Sequence, residues 1–172
     1  MTSAVRAATT SDIGAMQVIE RRAGEPFRDV GMPAIADDPP LAAAELVPFV
    51  ADGRAWVIDG DDGAPVAYLL VEAVDDAAHV AQVSVLPDLA RRGLGRALVD
   101  HVDEWARAHR LSAITLTTFR DVPWNGPYYE RLGFATVLPD EQGPQLRAVV
   151  ESELHLERGN GPRIVQRRAV RR

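Results

Sequence analysis

Cysteine is absent from the 172 residues, which excludes disulfides and thiolate metal sites and is compatible with a cytoplasmic chain. No stretch approaches the ~18 consecutive apolar residues of a membrane-spanning helix, so no membrane partner is expected. The opening "MTSAVRAATTSDIG" lacks a basic region followed by an apolar stretch and does not read as a secretory signal. An excess of basic charge is missing too. The formal net charge of −6 and a pI of about 5.2 argue against nucleic acid as a partner, because neutralising phosphates needs a basic surface. There are no internal repeats and no low-complexity linker. What remains, 47% hydrophobic and 26% charged, is ordinary globular composition. It predicts a single domain over residues 1–172, with its core at about 4–170.

The residues that are present alternate between two periods. "VRAAT" opens as a strand, and "DIGAMQVIERRA" follows as a helix capped by Ser11 or Asp12, with Ile13, Met16 and Ile19 at helical spacing. "GEPFRDVGMPAIADDPP" is rich in Pro and Gly and predicts a loop or half-formed helix that can move. "LAAAELVPFVADG" reads as a second helix stopped by Gly53. The period then drops to two. "RAWVID", "VAYLLVEAV" and "HVAQVSVLP", joined by the turns "GDDGAP" and "DDAA", predict an antiparallel meander.

"RRGLGRALVDHVDEWARAHR" is the strongest helix pattern, with Leu94, Leu98, Val102 and Trp105 on one stripe. The strand "SAITLTTF" after it implies a parallel pairing across the helix. A short helix in "NGPYYERLGF", a strand "FATVLP", a helical "GPQLRAVVESELHLERG" and a last strand "RIVQRRAV" complete the chain. The order predicts an α/β (α+β) fold: a single mixed, mostly antiparallel sheet of about six to seven strands flanked by helices. Arg158, Arg163, Arg167, Arg168, Arg171 and Arg172 crowd the end and are expected to form an edge strand with a solvated tail.

One stretch is chemically out of keeping. "ARRGLGRAL" sets Gly93 and Gly95 at a helix start, although each costs roughly 1 kcal/mol against alanine inside a helix. Helix starts leave up to four backbone N–H groups without partners, and glycine lets an anion approach them with no Cβ in the way. Arg91, Arg92 and Arg96 add full positive charges. The alternative is a tight turn with solvated arginines. No Lys-Ser/Thr follows the glycines, so a Walker A loop is excluded. Leu98 stands at the third glycine position of a dinucleotide fingerprint, which fits poorly as well.

Val85-Leu86-Pro87 followed by Ala90-Arg91-Arg92-Gly93-Leu94-Gly95 resembles the pyrophosphate loop of the GNAT superfamily of acyl-CoA-dependent N-acetyltransferases. Ala90 departs from that pattern, which usually has Gln or Arg there. About thirty residues on, Tyr129-Glu130-Arg131-Leu132-Gly133-Phe134 matches a second motif of the same family throughout. The resemblance implies a GNAT-like fold and transfer of an acetyl group from acetyl-CoA, as co-substrate and without metal, to a small-molecule or peptide amine in a ternary complex. It also implies that Arg91, Arg92, Gly93, Leu94, Gly95 and Arg96 hold the pyrophosphate and that the backbone of Val83 and Val85 meets the pantetheine arm. Asn125 is implied as a further contact to that arm, and Tyr129 as the acid that protonates the departing thiolate. Asn125 lies four residues before Tyr129, where many members have about seven. Members often dimerise through late strands, so a homodimer is left open.

An amine of pKa ~10.4 is mostly protonated at neutral pH, so a base must take its proton. The resemblance leads one to look for a Glu on the strand before the loop, yet "HVAQVSV" has no carboxylate. Glu72, an acid inside the apolar "YLLVEAV", is the first candidate, followed by His79, Asp121 and Glu25. Glu25, Asp37, Asp38 and Glu45 are charges that attract a cationic acceptor, and Phe27, Met32 and Trp56 are apolar residues that line its site or the core. The missing strand carboxylate also keeps open a non-catalytic acyl-CoA-binding or sensor domain.

Overall fold

The computed structural model describes residues 4–172. Its strands are β1 (Val5–Ala7), β2 (Ala55–Asp59), β3 (Pro65–Val74), β4 (Ala77–Val85), β5 (Ala113–Phe119), β6 (Ala135–Val137) and β7 (Arg163–Ala169). They hydrogen-bond in the order β1-β2-β3-β4-β5-β7-β6, one seven-stranded mixed sheet. The helices are α1 (Ile13–Gly24), α2 (Pro33–Ala36), α3 (Ala43–Ala51), α4 (Leu94–Ala108), α5 (Gly126–Arg131) and α6 (Pro144–Glu153). No helix among the described residues is long and apolar enough to cross a membrane. Contacts group the chain into two compact units, one running up to Val71 together with Ala81–His101, the other made of Glu72–Val80 and Val102–Arg172.

In the first unit the predicted meander forms, with β1 antiparallel to β2 and β2 antiparallel to β3. The apolar stripe of α1 explains its seat. Ile13, Met16 and Ile19 are buried with Leu46 of α3 against Val57 of β2 and Tyr68 and Leu70 of β3. The Pro/Gly-rich segment is half helical: a 3₁₀ turn over Glu25–Val30 and the single turn of α2.

In the second unit β4 and β5 run parallel, as the helix between them requires. β7 pairs antiparallel with β5 on one side and β6 on the other. The basic end is therefore an interior strand, and the expected edge strand is corrected. Its arginines are spoken for. Arg168 makes a buried ion pair with Asp103 at 2.8 Å and lies over the Phe134 ring, and Arg167 reaches Asp76. Charge on an inner strand is tolerated where each cation meets a carboxylate. The N-terminus of α6 is capped from a distance. Asp75, at the tip of the β3–β4 hairpin, accepts the N–H groups of Gln145 and Leu146 at 3.1 and 3.0 Å.

Candidate functional site

The proline of "VLPDLA" ends β4 and starts a 3₁₀ turn over Pro87–Leu89, after which the backbone reverses. Arg91 and Gly93 both take the left-handed conformation, with φ of 65° and 82°. Helix α4 then starts at Leu94, and its first bond is Ala97 N–H to the Gly93 carbonyl at 2.9 Å. The N–H groups of Arg91 to Arg96 meet no acceptor among the described residues. Turned backbone of this kind makes a concavity lined with N–H donors, an anion-binding nest set at the positive end of a helix.

The two glycines play different parts. Gly93 supplies a positive φ, while Gly95 is the second residue of the helix and leaves its first turn without a side chain. Arg91, Arg92 and Arg96 are exposed, and only Arg96 is paired, with Asp100 at 3.4 Å. Donor set, bare backbone and free charge all fit a pyrophosphate.

Val83 and Val85 immediately precede this turn on β4 and are half-buried. In the second unit the parallel ladder of β4 with β5 runs from Ala77↔Ala113 to His79↔Thr115.

In the second unit, α5 is built around a tight approach. A Cβ on Gly126 would stand 2.5 Å from the Arg120 carbonyl oxygen, so the residue after Asn125 has to be glycine. The Asn125 carbonyl accepts the N–H groups of Tyr128 and Tyr129, and its side chain makes no capping bond. Gly133, at φ 91°, closes the helix, with Phe134 N–H returning to the Tyr129 carbonyl at 3.1 Å. Tyr129 is buried edge-to-face against Tyr128 and Phe134, and its hydroxyl bonds to no described residue. Burial, with Tyr128 adding to it, pushes its phenol above the usual value.

The base candidates fall in unlike surroundings. Glu72 is half-buried on β3 and pairs with no described residue. His79 is buried beside Thr115, 3.0 Å from its hydroxyl, and burial lowers its pKa against the pull of Glu153. Asp121 is exposed and held below the usual carboxylate range by two hydrogen bonds from Arg120, which makes it a poor proton acceptor. Glu25 is exposed. Residue patterns missed another acid, Glu20 of α1, which meets the Tyr68 hydroxyl at 2.8 Å. Its signal was its place four residues after Met16, on the buried stripe.

The second unit also holds an open cavity of about 280 Å³ bordered by Thr117, Val137, Leu154, Glu153 and Arg163. Glu153 accepts from Thr117 at 2.5 Å and from Arg163 at 3.3 Å, so its charge is met within the wall.

Residues 17–134 match the Acetyltransferase (GNAT) family. Among solved structures, an N-acetylglutamate synthase from Neisseria gonorrhoeae, complexed with coenzyme A and N-acetyl-glutamate, aligns with 98% of this chain at 18% identity and a TM-score of 0.75. This chain spans 35% of that protein. The ribosomal-protein-S18-alanine N-acetyltransferase from Escherichia coli aligns at 18% identity and TM-score 0.66, over 98% of this chain and 94% of that one. A phosphinothricin acetyltransferase from Sinorhizobium meliloti in complex with AcCoA gives 16% identity and TM-score 0.68, over 99% and 89%. At these identities the likeness is one of fold.

Proposed function

Because the chain belongs to the GNAT acetyltransferase family, we propose that it is an N-acetyltransferase, moving an acetyl group from acetyl-CoA to a primary amine by direct attack in a ternary complex. The observation that carries this reading is the nest from Arg91 to Arg96, with its unmet N–H groups and exposed arginines at the head of α4. Gly93, Leu94 and Gly95 would hold the pyrophosphate through backbone, and Arg91, Arg92 and Arg96 through charge. The backbone of Val83 and Val85 would receive the pantetheine amides, with Asn125 as a further contact. A backbone N–H on β4 would meet the carbonyl oxygen as negative charge develops there.

The amine nitrogen attacks the thioester carbon, the C–S bond breaks, and the leaving thiolate takes the Tyr129 proton. A phenol kept protonated by burial still holds a proton to give as the C–S bond breaks. Glu72 is the base that residue patterns favour for the amine proton, its half-buried carboxylate pairing with no described residue. The reading needs no metal and carries a cytoplasmic setting, with which the cysteine-free composition is compatible.

Calorimetry tests the donor half. Acetyl-CoA is expected to bind with measurable heat, and Arg92→Ala to weaken binding several-fold through loss of a charge-assisted contact. Absence of binding heat and of any thermal shift at saturating acetyl-CoA contradicts the reading. Binding without turnover on any amine favours the sensor alternative, which the carboxylate-free β4 supports.

A further inference from the structure

Transfer to an amine needs a proton acceptor, and β4 carries none between Ala77 and Val85 except the buried His79. Glu20 has surroundings that Glu72 lacks. Its Oε2 accepts the Tyr68 hydroxyl at 2.8 Å and the Leu41 N–H at 3.1 Å, while Oε1 accepts nothing from the described residues. One oxygen is fixed and the other is left open on a half-buried side chain.

Tyr68 is wholly buried on β3. The Glu20–Tyr68 pair thus joins α1 to β3 beside a core of Met16, Ile19, Leu46 and Leu70. Holding α1 in place does not need it, because Met16 and Ile19 already anchor the helix. Apolar groups of the same shape in place of a buried polar pair are often neutral for stability.

We infer that Glu20, oriented by Tyr68, is the residue that takes the proton from the acceptor amine, at Oε1. The inference rests on the transferase reading above. The ammonium N–H bond breaks and an O–H bond forms at Oε1, and the freed nitrogen lone pair attacks the thioester carbon. The C–S bond then breaks and the thiolate takes the Tyr129 proton. The surplus proton on nitrogen and the one held by Glu20 leave to water, from which Tyr129 is reprotonated.

The groups facing Glu20 are Tyr68 from β3, the Leu41 N–H, Asp38 from the segment after α2 and Glu45 from α3. Burial and the two acids raise its pKa, the Tyr68 and Leu41 hydrogen bonds lower it, and the raise prevails. A base works only when deprotonated, so activity is lost as pH falls through this raised value.

The experiment is a pH–rate profile of thiol release. It uses acetyl-CoA and the best acceptor found among spermidine, free amino acids and a short unblocked peptide, for the wild type, Glu20→Gln, Tyr68→Phe and Glu72→Gln. Glu20→Gln is expected to lose the acidic limb and to lower kcat by roughly 10²-fold or more. Tyr68→Phe removes a bond that favours the charged carboxylate, so its acidic limb is expected to move to higher pH. A structural defect alone would not move the limb. Should Glu20→Gln fail to fold or to bind acetyl-CoA, the Tyr68→Phe limb decides: a shift supports the inference, and an unmoved limb overturns it. An intact limb in folded Glu20→Gln, or its loss in Glu72→Gln instead, also overturns it. A wild type that binds acetyl-CoA and releases no thiol with any of these amines counts against the transferase reading itself.

Discussion

The surroundings of Tyr129, the proposed acid, come from its neighbours. Tyr128 and Phe134 wrap the ring and burial keeps the phenol protonated, while Gly126 lets α5 approach the Arg120 carbonyl closely enough to hold it there. Tyr129→Phe keeps the packing and removes the proton. It is expected to lower kcat by roughly 10²-fold or more with acetyl-CoA affinity unchanged, as steady-state kinetics and calorimetry would read. Full turnover in that variant removes the tyrosine as acid. Tyr129 was singled out because two motifs stand in order in the chain. Glu20 was not, although it lies on the buried stripe of α1. Its partner Tyr68 is 48 residues away, and a pattern local to one helix cannot report a bond made to a distant strand.

Among the elements, α4 was the most legible, because a long apolar stripe and a glycine-rich start are both local signals. Its head differs from the simple reading in one respect: Gly93 serves the turn and Gly95 the first helical turn. β7 was misread as an edge. Composition showed its charge, but its place between β5 and β6 depends on pairings far along the chain and on partners such as Asp103 and Glu153. α6 shows the same kind of dependence. Asp75 caps it from the β3–β4 hairpin, and a Cβ on Gly143 would collide with that carboxylate. Asp75→Ala is expected to cost about 0.5–2 kcal/mol. That is a Tm lower by a few degrees in a thermal melt, with acetyl-CoA affinity at the α4 turn kept. An unchanged Tm would show that the cap contributes nothing.

At the scale of the whole molecule, a chain of net charge −6 places exposed arginines at one turned helix start, where an anionic donor would dock. The order of elements along the chain could be read from local periodicity, but the place of β7 inside the sheet could not. The acceptor could not, since it is met by side chains that only the folded chain gathers. The chain contains no lysine, so acetylation of its own side chains cannot mimic transfer to an added amine. The most direct measurement is release of free CoA thiol from acetyl-CoA, with and without added primary amines. Release that rises with amine concentration and saturates is the predicted result. Tight acetyl-CoA binding with no amine-dependent release from any acceptor would contradict the account.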